Sequence, residues 1–318
     1  MIGQLSLPEA SSYASEVDWL LLALLLVSVA VLALVFGLEI YYVARYRHGS
    51  DAYRGGIMKK TWRIETGWTA ATLLAFFGIF IWGADLYARV EQPPLGGDVL
   101  RISVIGKQWM WKAEYPGGQH EINALHMPTG RDVELLMTSE DVIHDVAIPA
   151  FRVRHDVLPG RYEALWFKPT KVGEYHLYCD QLCGTDHSAM IGTVTVMTPG
   201  DYATWLAANA ASEGLAGQGK KLFVSYGCSG CHSVGNFGGG GTVRAPPLIG
   251  VYGHPVPLSD GTVVVADDQY IRDSILMPSR QVVASYENKM PSFAGIVSEE
   301  DLIRLVAFIK SLGAGDGT

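Results

Sequence analysis

The sequence predicts a membrane-anchored protein of three parts: a two-helix transmembrane hairpin, an all-β domain and a smaller helical domain. Three observations lead to this fold class. Two uncharged runs of about 20 residues lie near the N-terminus. Short alternating strands separated by turn signals fill the middle of the chain, and a helical pattern returns towards its end.

The hairpin is predicted from the two apolar runs, "WLLLALLLVSVAVLALVFGL" from Trp19 to Leu38 and a second from Thr66 to Ala84. Either run could cross the hydrocarbon core of a bilayer, about 30 Å, as a helix. Aromatic residues flank both runs, as interfacial anchors do. We therefore expect transmembrane helices over about 19–43 and 66–87, with a buried core helix as the alternative for each run.

The charge distribution predicts the orientation of the hairpin. Residues 1–18 contain no Lys or Arg, whereas the segment between the runs is basic (Arg45, Arg47, Arg54, Lys59, Lys60, Arg63). Because basic loops stay in the cytoplasm, the connection is expected there. Everything after about residue 90 would then lie outside the cytoplasm.

Composition shifts along the chain predict the domain boundaries. A Pro/Gly-rich stretch, "EQPPLGGDV", ends the N-terminal segment at 1–92, and the strand-rich region occupies 93–198. A small-residue segment of helical character, 199–212, is predicted to be a linker, and 213–318 forms the last domain. The net charge of −8 makes nucleic acid an unlikely partner.

The last helix is predicted from the segment "SEEDLIRLVAFIKSL". Ser298 and Asp301 resemble an N-terminal capping box. At helical spacing one apolar face follows (Leu302, Leu305, Val306, Ile309).

The segment "CSGCH" has the Cys-x-x-Cys-His spacing of covalent c-type haem attachment. Cys228 and Cys231 would bind the haem and His232 would ligate its iron. Half of a zinc site and a redox dithiol are the alternatives. Met290 is predicted as the second axial ligand, because it lies just before the last helix, and Met277 is the other candidate.

Residues from about 213 to 315 resemble class I cytochromes c, which are all-α. The resemblance rests on "CSGCH", "APPLIGVYG" and "MPSF", in the order of that family. It implies that the carbonyl of Pro246 accepts a hydrogen bond from the ring of His232, which fixes the ring.

The segment "YCDQLCGTDHSAM" combines Cys179, Cys183, His187 and Met190 within thirteen residues, and His144 ends a predicted strand upstream. Thiolate, thioether and imidazole together favour copper over harder metals. Two bridging thiolates with one histidine on each of two coppers would use all of them. A Cys179–Cys183 disulfide is the alternative in an oxidising compartment.

The hairpin, the β domain and this loop together resemble subunit II of haem-copper cytochrome c oxidase, and with the last domain they resemble the caa3 type. The resemblance implies a cupredoxin-like barrel with a dinuclear copper centre (His144, Cys179, Cys183, His187, Met190) and a copper contact from the backbone carbonyl of Gln181. The family usually has Glu at position 181, which reaches a Mg²⁺ or Mn²⁺ site shared with subunit I. Gln keeps the backbone carbonyl for copper but removes the carboxylate, so the resemblance leaves undecided whether the Mg²⁺ or Mn²⁺ site is retained.

Two further roles follow from the same resemblance. Trp109 in "GKQWMWKAEY" would be the residue of electron entry, or else an ordinary barrel aromatic. Glu65 in "RIETGW" would lie at the entrance of a proton channel, or else be an ordinary carboxylate at the membrane interface.

The resemblance implies an enzyme subunit rather than a complete enzyme. The chain would accept electrons from an external donor at haem c and pass them to the copper centre. Subunit I would then reduce O₂ to water with proton pumping. Subunits I and III, membrane lipid and a redox protein donor are the expected partners. The electron-entry subunit of a copper-containing nitric oxide reductase is the alternative, and a scaffold without metals or a copper-delivery protein fits the ligands less well.

Overall fold

The computed structural model describes most of the chain: residues 8–56, 61–94, 97–211, 213–232, 234 and 245–313. Two compact units can be separated, one of residues 11–93 and one of the first ten residues together with 94–318. The predicted order of two apolar helices, an all-β domain and a helical domain is confirmed.

The first unit is a pair of long helices, α1 (Ala14–Arg45) and α2 (Trp62–Glu91). Both have the length and apolar composition needed to cross a membrane. In their most apolar stretches, 0% of the residues of α1 and 6% of those of α2 are buried. This exposure argues against the core-helix alternative. Both helices extend beyond the predicted spans, because helical hydrogen bonding continues into their aromatic and charged ends.

The start of α1 and the end of α2 are joined by an ion pair. Arg89 Nη2 lies 2.6 Å from Glu16 Oε2, and Arg89 Nε lies 3.0 Å from Asp85 Oδ2. The Arg89 guanidinium also lies over the ring of Tyr13, 5.9 Å from its centroid. This distance is within the range of about 6 Å for a cation–π contact. These contacts connect the two helices at the end of the hairpin that leads into the β domain.

The β domain contains ten strands: β1 (Val99–Lys107), β2 (Met110–Glu114), β3 (His120–Ile122), β4 (Ala124–Pro128), β5 (Asp132–Ser139), β6 (His144–Ile148), β7 (Val153–Val157), β8 (Glu163–Phe167), β9 (Gly173–Cys179) and β10 (Ile191–Met197). They form two five-stranded sheets, ordered β3-β2-β1-β5-β8 and β4-β10-β9-β6-β7. Most neighbours are antiparallel, but β1 pairs with β5 and β10 with β4 in parallel. The inner faces of the two sheets pack together as a sandwich.

One apolar core fills the space between these sheets. It includes large side chains that are almost completely buried, among them Trp111, Tyr115, Phe151 and Leu177. Cys179, Cys183 and Met190 belong to the same core cluster. The candidate metal-binding sulfur atoms therefore lie at the edge of a rigid, dry core.

The segment predicted as a linker contains helix α3 (Pro199–Ala208). The hydroxyl of Thr198 caps it by accepting a hydrogen bond from the Asp201 amide. Tyr202 is buried in the core of the sandwich, and Trp205 stacks on His126 at 4.7 Å between ring centroids. The first ten residues of the predicted linker are thus packed onto the β domain, and the free connection is shorter than expected.

The described part of the last domain contains the helices α4 (Leu215–Ser225), α5 (Asp268–Leu276) and α6 (Glu299–Ser311), and a small hairpin of β11 (Pro255–Pro257) and β12 (Val263–Val265). Helices α4 and α6 cross at Gly219. A Cβ atom there would lie 1.9 Å from the carbonyl oxygen of Arg304, so only glycine allows this approach. The Ser298 hydroxyl caps α6 through the Asp301 amide.

Candidate metal and haem sites

Neighbouring strands bring the predicted copper ligands together. His144 begins β6 and Cys179 ends β9, and these strands pair antiparallel with Val146 opposite Cys179. The loop after β9 then turns back through Cys183 and a short 3-10 turn at His187–Ala189 to reach Met190 before β10. Ligands that are distant in sequence therefore meet at one end of the sandwich.

The five side chains form one continuous cluster. Cys183 Sγ lies 3.7 Å from Cys179 Sγ, 3.5 Å from His187 Nδ1 and 3.9 Å from Met190 Sδ. Cys179 Sγ lies 3.9 Å from His144 Nδ1 and 3.3 Å from the carbonyl oxygen of Gln181. Each sulfur thus has a different histidine beside it.

The two cysteines are not joined. A disulfide places its sulfur atoms about 2.05 Å apart, and these are separated by 3.7 Å. A metal bound at about 2.3 Å from each sulfur fits between atoms at this separation. The cluster is buried except at His187, which keeps the sulfur atoms from bulk water. The donor set and its spacing therefore fit soft metal ions such as copper.

The local electrostatics distinguish the two thiols. Burial works to raise the pKa of Cys179, but the His144 ring and backbone amides outweigh it and lower that pKa to about 7. Burial and the neighbouring Cys179 sulfur raise the pKa of Cys183 to about 12. Without metal, the pair therefore ionises at one sulfur first, since the second negative charge is opposed by the first.

Asp141 orients one of the histidines, and the sequence analysis did not identify it. His144 Nε2 donates to Asp141 Oδ1 at 2.8 Å, which directs Nδ1 towards the sulfur of Cys179. Burial works to raise the pKa of Asp141, but hydrogen bonds from the Gln108 amide and the His144 ring outweigh it and lower that pKa. The sequence signal that could have identified Asp141 was its position, three residues before His144 and just after the end of β5.

Trp109 and Gln108 lie on the turn between β1 and β2. This turn is next to the loop between β9 and β10, residues 180–190, which is called the copper loop because it carries predicted copper ligands. Gln108 Nε2 donates to the carbonyl oxygen of Cys183 at 2.7 Å. Trp109 is half-buried against Gly184, and a Cβ atom at Gly184 would lie 3.2 Å from Trp109 Cζ2. The predicted electron-entry residue therefore contacts the metal-binding loop.

Gln181 is exposed beside the cluster. Its carbonyl faces the Cys179 sulfur, while its side chain carries no charge for a hard divalent cation. Position 181 therefore fits the predicted copper contact through its backbone and offers no carboxylate to a Mg²⁺ or Mn²⁺ ion.

The predicted haem attachment residues follow helix α4. Cys228 is on a 3-10 turn, Cys231 is exposed just after it, and neither forms a disulfide. His232 Nδ1 donates to the carbonyl oxygen of Pro246 at 2.9 Å. This bond leaves Nε2 as the free nitrogen, so the donor set fits a haem iron. Burial lowers the pKa of His232, which favours the neutral, ligating ring.

The two methionine candidates differ in their surroundings. Met277 ends helix α5 and is 39% exposed, whereas Met290 is half-buried on the segment that leads into α6. Partial burial on a loop fits an axial ligand better than an exposed helix end does. Glu65 lies in the first turn of α2 and accepts a hydrogen bond from the Thr61 hydroxyl at 2.5 Å.

Fold and sites together define a class of protein: two candidate membrane helices, a β sandwich with a cluster of soft metal ligands, and a helical domain with a c-type haem-attachment motif (residues 213–318, the haem domain). Two family models match the chain. The model described as cytochrome c oxidase subunit II, periplasmic domain, matches residues 120–197, and the cytochrome c model matches 216–313.

Full-length relatives agree with these matches. A cytochrome c oxidase subunit 2 of Thermostichus vulcanus is 31% identical over 64% of this chain and 79% of its own length. A heme-copper oxidase subunit 2 of Aeropyrum pernix is 32% identical over 59% and 88%. A cytochrome c oxidase subunit 2 of Alkalihalophilus pseudofirmus is 26% identical over 96% and 88%. The chain belongs to the cytochrome c oxidase subunit 2 family, and it carries a cytochrome c domain at its C-terminal end.

Proposed function

We propose that this chain is the electron-entry subunit of a haem-copper terminal oxidase in a bacterial inner membrane. It takes electrons from an external redox protein and delivers them to subunit I, where O₂ is reduced to water with proton pumping. When bound, haem c and a copper pair supply one-electron carriers at the two sites. Family membership, the paired candidate membrane helices and the cytochrome c domain support this proposal.

The observation that carries the copper part is the spacing of the donor atoms. Two cysteine sulfurs 3.7 Å apart, each with its own histidine within 4 Å, match a dithiolate bridge between two metals. Met190 and the Gln181 carbonyl complete the set. A single blue-copper ion uses one cysteine and leaves the second without a role.

Hydrogen bonds within the chain fix the residues that would hold both centres. Asp141 fixes the ring of His144, the carbonyl of Pro246 fixes the ring of His232, and Gln108 holds the copper loop against the turn that carries Trp109. Little rearrangement is then needed when the charge of a centre changes, which lowers the barrier to electron transfer. Cys228 and Cys231 would hold the haem covalently, and Met290 is the proposed second ligand of its iron.

Metal and haem analysis of the purified chain tests this proposal. We expect about two coppers and one covalent haem per chain, with the EPR spectrum of a mixed-valence copper pair. Replacing Cys183 by Ser should abolish that spectrum and leave the haem unchanged. One copper per chain, or a Cys179–Cys183 disulfide in the metal-loaded protein, would contradict the dinuclear centre.

The terminal substrate is decided by the partner rather than by this chain. Co-purification of a subunit I that turns over O₂ is the expected result. A partner that reduces nitric oxide instead would assign the chain to the alternative enzyme, with its electron-entry role unchanged.

A further inference from the structure

Helix α6 is buried on two sides. Leu302, Leu305 and Phe308 pack inside the haem domain. Ile303, on another side of the helix, packs with Ile105 of β1 and Leu215 of α4 in a separate apolar cluster. This second contact joins the haem domain to the outer face of the β3-β2-β1-β5-β8 sheet.

Two ion pairs cross this contact with matched spacing. Lys112 Nζ lies 2.7 Å from Glu300 Oε1, and Arg304 Nη2 lies 2.6 Å from Glu114 Oε1. Two residues along a strand span about 6.7 Å, and four residues along a helix span about 6.0 Å. Because these distances nearly agree, both pairs form only when α6 runs parallel to β2 in this register.

Further contacts lie at both ends of α6 and link it, through α5, to the β domain. Asp268 accepts from Lys310 at 3.0 Å and from Arg101 of β1 at 3.2 Å. Arg272 of α5 donates to the carbonyl oxygen of Gly160 at 2.7 Å and also pairs with Glu299. The haem domain is therefore held at separate points along one sheet face.

The Glu114–Arg304 pair is the most buried of the charged contacts that cross to α6. Glu114 is 4% exposed, so its charge has little access to water. Burial raises its pKa, and Arg304 opposes that shift. Removing one partner leaves the other charge buried without compensation, whereas removing both does not.

We propose that the Lys112–Glu300 and Glu114–Arg304 ion pairs lock the haem domain onto the outer face of strands β1 and β2 (the β1–β2 face) in one register. In this register the N-terminal end of α6 lies towards the Gln108–Trp109 turn. The segment carrying Met290 leads into that end of α6, and Gln108 on the turn binds the carbonyl of Cys183.

This arrangement deepens the proposed function, since electrons would cross between two fixed centres without a domain swing. That consequence rests on the proposed function. The lock itself rests only on contacts between amino acids, so it can be measured without metal or haem.

Two backbone amides report directly on docking. The Tyr162 amide of the β domain donates to Gln269 Oε1 of the haem domain at 2.8 Å. The Leu215 amide of α4 donates to the carbonyl oxygen of Pro116 at 3.3 Å. Separation of the domains would expose both amides to water, and their hydrogen exchange would accelerate.

The test is a double-mutant cycle on the full-length protein in detergent, followed by hydrogen exchange. Glu114→Gln and Arg304→Gln should each accelerate exchange at the Tyr162 and Leu215 amides about tenfold. In the double variant the acceleration of exchange should be far smaller than the product of the two single accelerations. Arg131→Gln is the matched control, because Arg131 pairs with the exposed Asp98 within the β domain. This variant should leave the exchange rates of both amides unchanged.

A milder cycle on Lys112→Gln and Glu300→Gln keeps the test valid if a variant of the buried pair fails to fold, since this pair is more exposed. Unchanged exchange in the single variants, or multiplicative effects in the double variant, would overturn the lock. Copper and haem content measured on the same samples reports separately on the proposed function. Protein without either centre but with coupled exchange would contradict the function and support the lock.

Discussion

The side chain of Gln108 is hydrogen-bonded to the backbone of Cys183, with 2.7 Å between Nε2 and the carbonyl oxygen. Gly184 follows with a φ of +122°, a backbone conformation that favours glycine, and a Cβ atom there would lie 2.8 Å from Gln108 Nε2. The β1–β2 turn and the copper loop thus contact each other directly, and the loop geometry depends on the turn.

Replacing Gln108 by Ala should loosen the copper loop. A hydrogen bond of this kind contributes about 1 kcal/mol net, so we expect about fivefold faster loss of copper to a chelator. The measurement is the rate of copper release at fixed chelator concentration. Gln92→Ala changes an exposed glutamine after α2 and should leave that rate unchanged. Equal rates in both variants would show that the turn does not support the loop.

Replacing Gly219 by Ala should destabilise the haem domain. The added methyl group meets the Arg304 carbonyl at 1.9 Å and Phe308 Cβ at 2.9 Å, so α4 and α6 must separate. Overpacking of this kind costs about 1–3 kcal/mol, measurable as a lower thermal midpoint of the haem absorption.

Gly217→Ala is the matched control on the same helix. The nearest atom to its new methyl group is Glu213 Cβ at 3.3 Å, outside the helix crossing. Alanine favours a helix over glycine by about 1 kcal/mol, so this variant should be neutral or slightly stabilised. A similar loss of stability in both variants would argue against a close crossing at Gly219.

Asp268 should make the haem domain sensitive to acid. Burial works to raise its pKa, but Lys310 and Arg101 outweigh it and hold that pKa below the ordinary value of 3.8. A carboxyl group with a lowered folded-state pKa contributes stability above its unfolded-state pKa. That contribution is lost as the pH falls towards the folded-state value.

The check is the thermal midpoint of the domain measured at about pH 6 and about pH 3.5. Asp268→Asn should destabilise the protein by about 1–3 kcal/mol at the higher pH and show a smaller further loss on acidification. Asp98→Asn, at a carboxylate that is 84% exposed, should keep the acid sensitivity of the original protein. An Asp268→Asn variant with unchanged acid sensitivity would contradict this prediction.

Met290→Leu should lower the haem midpoint potential by about 0.1 V or more, because axial ligands set haem potentials over a range of ~0.8 V. Redox titration of the haem absorption measures the change. Met277→Leu is the control and should leave the potential unchanged. The opposite pattern would assign the axial position to Met277.

The candidate copper ligands could be predicted from sequence because four of them lie in one short loop with soft side chains at fixed spacing. The fifth, His144, was predicted at the end of a strand, whereas in the structure it begins β6. Gln108 and Asp141 were missed as positioning residues. Each acts through a contact that depends on how the turn and the strands fold together, and neither carries a ligand atom.

The docking of the two domains was not predictable for a similar reason. The sequence pattern of α6 indicated one apolar face, and the structure also buries Ile303 and Phe308. Ile303 packs on Ile105, which lies far earlier in the chain, and the Glu114–Arg304 pair likewise joins residues 190 positions apart. A single helical period cannot report on two buried faces.

Helix α3 packs against the sandwich and leaves a connection of about six residues to α4, with a maximum reach of about 20 Å. So short a connection keeps the haem domain at a high effective concentration near the outer face of strands β1 and β2. A soluble electron donor cannot compete for a face that is already covered. Under the proposed function, the donor is expected to recognise the surface of the haem domain, and changes in donor preference should map to residues 213–313 rather than to the covered face of β1 and β2.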